Sequence, residues 1–126
     1  MDIVNSILRV PEIWSDVAPK GVSYFEAPYV RDCTYFLVNR TESVIIYHPF
    51  LDGVKIHPNF PKKYRGKAAY QAIEESVIEM FSRGNSSIYA EIDVELKHVN
   101  HAARFLGFKL LESGKRNIYV RRRLNS

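Results

Sequence analysis

A single cysteine, Cys33, stands among the 126 residues, so no disulfide can close within the chain and a cystine-stapled fold is excluded. Its neighbours in Arg31-Asp32-Cys33-Thr34 include no histidine or asparagine to activate the thiol, and the residue reads as structural. No apolar run approaches the roughly 20 residues needed to cross a bilayer. The opening Met1-Asp2-Ile3-Val4-Asn5 lacks the basic start and long apolar stretch of a signal peptide, so a soluble, cytoplasmic protein without membrane contact is expected. Also missing are a Walker loop, a Ser-His-Asp order, a paired-carboxylate signature, internal repeats and low-complexity segments.

What is present is an ordinary globular composition, 46% hydrophobic and 25% charged. The length suits one domain over 1–126, since two cores would each bury too little apolar surface. The net charge of +4 is mild, but cations concentrate in Lys62-Lys63-Tyr64-Arg65-Gly66-Lys67 and in Arg121-Arg122-Arg123. Such clusters attract polyanions: nucleic acid, acidic protein, or the phosphates of a nucleotide cofactor.

Hydrophobic periodicity orders the chain. Ile3, Val4, Ile7, Leu8, Ile13, Trp14 and Val17 form a helical stripe broken at Pro11, which predicts two short helices in an N-terminal region over 1–30, with a short extended piece at 22–25. Segments 34–39 and 43–48 read as antiparallel strands joined by Arg40-Thr41-Glu42. A third strand, 54–57, follows Asp52-Gly53, a dipeptide suited to the positive φ of a tight hairpin. Then the period changes: Ala69, Ile73, Val77, Met80 and Phe81 recur at helical spacing over 68–81, with Gln71, Glu74, Glu75 and Glu79 opposite, and Arg83-Gly84-Asn85 ends the helix. Alternation over 87–94 marks a strand, and the helix before it allows a parallel crossover. A second helix over 97–106 turns Val99, Ala102, Ala103 and Leu106 inward, and strands 108–111 and 117–122 follow. The expected class is α/β (α+β): a mixed central sheet in a core over 34–122, built as an antiparallel meander, then helix, strand, helix and two strands.

The informative stretch runs from Val54 through the loop 59–66 into the helix. A glycine, Gly66, and the small Ala68 at a helix mouth leave the first backbone N–H groups unsatisfied at the positive end of the helix dipole, which makes an anion site. Gly66 permits close approach of an oxygen, and Lys62, Lys63, Arg65 and Lys67 add positive charge. A diphosphate fits this chemistry better than a single carboxylate.

This stretch resembles the Gcn5-related N-acetyltransferase (GNAT) family. The family signature (Gln or Arg, two residues, Gly, one residue, then Gly or Ala) aligns with Lys63-Tyr64-Arg65-Gly66-Lys67-Ala68. Ile56-His57-Pro58 looks like the family's strand end, and Phe105-Leu106-Gly107-Phe108 like its connection into the next strand. The resemblance covers about residues 34–122 and implies the GNAT fold. It further implies an acetyl-CoA (acyl-CoA) cofactor with its pyrophosphate on the amides of residues 64–68 and its pantetheine arm along 54–57, which makes Ile56, His57, Lys63, Tyr64, Arg65, Gly66, Lys67 and Ala68 the cofactor-binding set. Two departures stand out: Lys63 replaces the usual Gln or Arg, losing a planar donor fork, and the position eleven before Gly107 is Leu96, not Asn100, where the family often has asparagine. The combination is also similar to small GNAT-like proteins encoded by bacteriophages, which would act in the host cytoplasm.

Acyl transfer to an amine needs a base for the ammonium proton and an acid for the departing thiolate. Candidate bases are Glu91, otherwise a solvent-facing strand residue, and His57, otherwise bonded to its own loop. Tyr119 is the candidate acid, otherwise a packing residue. His98 and His101 lie three apart on one helix, but no third ligand accompanies them and no metal is expected. The leading expectation is an acetyl-CoA-dependent N-acyltransferase acting on a small amine or a protein amino group. The alternative is a non-catalytic GNAT-fold protein of phage assembly or host interaction, and a basic nucleic-acid binder ranks third. An exposed final strand would offer an edge for a homodimer.

Overall fold

The structure, a computed structural model, describes residues 33–124. The expected N-terminal helices and the piece at 22–25 lie outside the described residues. Within them the strands are β1 Thr34–Val38, β2 Ser43–Phe50, β3 Gly53–Asn59, β4 Ser87–Asp93, β5 Lys109–Ser113 and β6 Arg116–Arg122. The helices are α1 Lys67–Ser82 and α2 Lys97–Phe105, and a 3-10 turn spans Lys62–Tyr64. The described strands form one sheet in the order β1-β2-β3-β4-β6-β5. The meander β1-β2-β3 is antiparallel, β3 and β4 are parallel across the α1 crossover, and β6 inserts antiparallel between β4 and β5. No helix among the described residues is long and apolar enough to cross a membrane.

One face of this sheet packs on α1. Ile45, Tyr47, Val54, Ile56, Ile88, Ala90, Ile92 and Tyr119 meet Ala69, Ile73, Val77 and Met80 in a single core, as the helical spacing predicts. Ser76 is also buried there, and its hydroxyl bonds Tyr47 Oη at 2.7 Å and donates to Ile73 O at 2.8 Å, so a polar pair is satisfied inside the core. Because side chains alternate along a strand, His48, Lys55, His57, Asn59, Tyr89 and Glu91 stand on the opposite face.

Three expectations change. Gly53 does not supply a positive φ; that conformation falls on Leu51, at φ 49°. Gly53 is needed because a Cβ there would lie 2.0 Å from the carbonyl oxygen of Ser87, where β3 first meets β4. The last strand is not an exposed edge: β6 is paired on both sides and β5, every residue of it exposed, is the outer strand. The terminal arginines are correspondingly engaged. Arg121 grips Glu74 of α1 through Nη1 and Nη2, at 2.6 and 2.8 Å, and Arg122 Nη1 donates to Ser87 Oγ at 2.7 Å. Finally, the inward face of α2 includes Asn100, 5% exposed, beside Ala103, while Val99 and Leu106 are only partly buried.

The Leu106-Gly107-Phe108 connection has a local cause. Gly107, at φ 85°, lets its own N–H reach Arg104 O and the Phe108 N–H reach Ala103 O, closing α2 and dropping Phe108 into the core at 4% exposure.

Candidate functional site

β3 and β4 are in register at only two positions, Val54↔Ile88 and Lys55↔Tyr89. Both strands continue, through residues 56–59 and 90–93, while β3 stays paired to β2 and β4 to β6 along these stretches. The sheet therefore opens as a wedge at Ile56 and His57, with Pro58, which has no N–H to offer a neighbour, in the opened half. The edge free to pair an extended ligand begins at Ile56, not at Val54. Ile56 turns into the core on the α1 face, and His57 turns to the other face.

Lys55 reaches across the wedge, its Nζ donating to Glu91 Oε2 at 3.0 Å, and Arg116 Nη1 lies 3.6 Å from Glu91 Oε1. The hydrogen bond from Lys55, ahead of the charge of Arg116, holds the Glu91 carboxyl below the usual carboxylate range. Glu91 is thus a fixed anion between two cations rather than a solvent-facing residue. His57 packs edge-on against His48, ring centroids 4.4 Å apart. Desolvation first, then the neighbouring His48 and Lys55, pushes the His57 pKa down to about 4, so the imidazole stays neutral near pH 7. The Nε2 atoms of both histidines and Oδ1 of Asn59 are buried without a hydrogen-bond partner among the described residues.

The anion-binding end lies directly downstream. The amides of Tyr64 and Arg65 already donate, to Pro61 O and Lys62 O, so they are spent on the 3-10 turn. Gly66 then adopts φ 121°, ψ −150°, a conformation only glycine takes at low cost, and the first helical bond of α1 runs from Tyr70 N to Gly66 O. The intervening N–H groups, from Gly66 to Ala69, have no backbone acceptor among the described residues; no side chain caps them and no acidic residue sits in the first turn. Among the described residues nothing lies within 4 Å of where a Gly66 Cβ would be. An anion with several oxygens fits this open, positively polarised corner. Ala68 and Lys67 are exposed here, whereas Lys63 swings to Glu42 at 2.9 Å and Arg65 Nε donates to Phe60 O at 2.9 Å.

Of the expected chemistry, His57 and Glu91 come together at the wedge and Tyr119 does not. Tyr119 is fully buried on the α1 face, and its hydroxyl donates to Asn100 Oδ1 at 2.8 Å. Asn100 Nδ2 donates to Asp93 O and Leu96 O, and Asn100 Oδ1 also accepts from Asn117 Nδ2 at 2.9 Å. This knot ties the end of β4 to the start of α2 and to β6. A polar residue on the apolar stripe of α2 was its signal in the sequence. His48 and Lys55 had a weaker one: the short hairpin after Phe50 sets His48 opposite Lys55 and beside His57. His98 and His101 are both exposed on α2, and no group of three or more metal-ligating side chains exists among the described residues.

The depressed His57 pKa predicts a pH effect on stability. The folded value, about 4, lies below the unfolded 6.5, so the contribution is fully present above pH 6.5 and is lost as pH falls from 6.5 towards 4. The loss amounts to about 3 kcal/mol. Urea midpoints measured between pH 7 and pH 4 should fall in the wild type and fall less in His57→Phe. Equal slopes would show that His57 is not the group being desolvated.

The sheet order, the wedge between parallel strands and the glycine-led helix that follows together constitute the GNAT fold. No family model matches the sequence, and no curated protein matches it either. Solved structures do. A probable GNAT-family acetyltransferase from Chromobacterium violaceum superposes with a TM-score of 0.66 at 15% identity, over 94% of this chain and 78% of that one. The ribosomal-protein-S18-alanine N-acetyltransferase of Escherichia coli gives 0.64 at 12%, over 94% and 84%. The Campylobacter jejuni N-acetyltransferase PseH, in complex with acetyl coenzyme A, gives 0.58 at 12%, over 71% and 67%.

Proposed function

We propose that this protein binds an acyl-coenzyme A, acetyl-CoA in the first instance, and transfers the acyl group to an amine. The observation that supports it most is the placement of an uncapped, glycine-led helix start immediately beyond the point where β3 and β4 part. The amides from Gly66 to Ala69, which have no backbone acceptor among the described residues, would hold the pyrophosphate, Lys67 would add charge, and the free edge of β3 from Ile56 would pair the amides of the pantetheine arm. Bound there, the coenzyme would supply an acyl group activated as a thioester. Three structural neighbours are acetyltransferases and one of them holds acetyl coenzyme A, which is consistent with this reading.

On the acceptor side the chain's own residues do limited work. Neutral His57, with His48 against it on the same face, would place no positive charge in the way of an incoming amine. A group with a pKa of about 4 is a poor match for deprotonating an ammonium. The rate should therefore follow the ionisation of the acceptor itself, rising with pH through the neutral range with no step at the pKa of an ordinary histidine.

One observation favours a second reading, a coenzyme-binding scaffold without turnover. Tyr119 is committed to Asn100, and Glu91 to Lys55 and Arg116, so neither is available as a proton donor or acceptor in this arrangement. Release of free CoA thiol from acetyl-CoA, followed against a panel of small amines and N-terminal peptides, tests the transferase reading. Acceptor-dependent release that drops at least roughly tenfold in His57→Phe supports it, on the scale of a general-base or positioning contribution. Tight coenzyme binding with no acceptor-dependent release leaves the scaffold reading.

A further inference from the structure

Lys55, Lys63, Arg83, Arg116 and Arg121 each meet a carboxylate. On α2 that pattern stops. The helix contains no acid, and its first turn, where the dipole favours an anion, carries Lys97 instead. Among the described residues neither Lys97 nor Arg104 has a carboxylate partner, and the Arg104 guanidinium lies 5.8 Å from the centroid of the Tyr119 ring. Helix stability does not explain this placement, so the position of these side chains matters. Asn100 and Ala103 turn inward, while Phe105 and Leu106 face α1. At about 100° per residue, Lys97, His101 and Arg104 then take the flank away from α1. That flank is the β5 side: α2 lies against β5, and Tyr119 pairs with Leu110. Among the described residues β5 is the outer strand and exposed throughout, so one row of its N–H and C=O groups has no strand beside it. Glu112 pairs with Ile118 and stands on the other face, where it does not offset the cations.

We propose that the outer edge of β5 takes up an extended acidic segment of another protein as a further strand, with its backbone paired to β5 and every second side chain, a carboxylate, turned towards Lys97, His101 and Arg104. Lys97 and Arg104 supply charge, and His101 adds an N–H donor. The spacings agree: four helical residues from Lys97 to His101 span about 6 Å, and two strand residues span about 7 Å. Strand addition of this kind draws affinity from main-chain hydrogen bonds and specificity from alternate side chains. Nucleic acid has no amide backbone to pair with the edge. A second copy of β5, Lys109-Leu110-Leu111-Glu112-Ser113, carries one acid and cannot supply the alternation.

The probe is a fluorescein-labelled peptide of alternating glutamate and threonine, about ten residues long, followed by anisotropy at low salt. Its comparisons are the same composition in two blocks, a fully N-methylated form that keeps the charges but has no N–H to give, an alternating lysine and threonine peptide, and an oligothymidylate of similar length. The protein variant is Lys97→Glu with His101→Glu, both exposed on α2 and checked for folding by thermal unfolding. The wild type should bind the alternating acidic peptide, bind the block form at least about tenfold more weakly, and not bind the N-methylated form. The double variant should lose about tenfold for the acidic peptide, the scale of a few exposed charge contacts reversed, and gain affinity for the lysine peptide. No binding of the acidic peptide by the wild type overturns the proposal. Equal binding of the block or N-methylated forms would reduce the effect to charge alone, and tighter binding of oligothymidylate would make the surface a nucleic-acid site; either result overturns strand addition.

Discussion

Gly53→Ala is expected to cost about 3 to 5 kcal/mol in urea unfolding, the range of the most damaging single substitutions. The added methyl would lie 2.0 Å from Ser87 O and 2.9 Å from its carbonyl carbon, both backbone atoms of a residue that is 1% exposed and that also accepts from Arg122. Neither strand can yield cheaply. β3 is fixed by β2 along its full length and β4 by β6, so the strain falls on the two register pairs that join the halves of the sheet. The same substitution at Gly114, where none of the described residues stands within 4 Å, is the matched control and should change stability by less than about 0.5 kcal/mol. A Gly53→Ala protein as stable as the control would mean that β3 and β4 do not approach as described.

The second large effect is expected at Asn100. Its amide makes four hydrogen bonds, two as donor and two as acceptor, which is its full geometric capacity in the plane of the side chain. Asn100→Ala strands the Tyr119 hydroxyl and the Asn117 amide where water has little access, while the carbonyls of Asp93 and Leu96 keep the backbone donors Leu96 N and Asn100 N. The expected cost is about 3 to 4 kcal/mol, because unsatisfied buried groups cost more than the lost bonds contributed. Tyr119→Phe removes one of these bonds and should cost about 1 kcal/mol. If the knot is cooperative, the double variant costs less than the sum of the singles. Strict additivity, or an Asn100→Ala variant close to wild type, would contradict the network.

Much of the fold was legible because its period is strict. The α1 stripe of Ala69, Ile73, Val77 and Met80 and the alternation over β4 leave few other ways to bury apolar surface, and both appear as expected. The strand order was less accessible. Nothing local in the last segment states that β6 slips between β4 and β5, because that choice is made by long-range contacts such as Arg121 with Glu74. Gly53 illustrates a different loss: its dipeptide signals a turn, yet its necessity comes from Ser87, thirty-four positions away in the chain (87 minus 53).

The site divides in the same way. Gly66 and the basic helix mouth could be read locally, since backbone amides at a helix start need no distant partner to be polar. What the residues around them do could not. Lys63 is drawn off by Glu42, and the amides of Tyr64 and Arg65 are consumed by a turn that the string Pro61-Lys62-Lys63 only hints at. Glu91 and His57 acquire their electrostatics from Lys55, His48 and Arg116, which come from three different strands.

The most direct measurement is calorimetric titration of acetyl-CoA into the wild-type protein and into Gly66→Val, with thermal unfolding of both to confirm that each is folded. Valine places a branched side chain in the open corner where the diphosphate oxygens must approach the amides of α1. Saturable binding by the wild type, lost in the folded Gly66→Val protein, is the predicted result. No binding by the wild type, or equal binding by both, would contradict the coenzyme site.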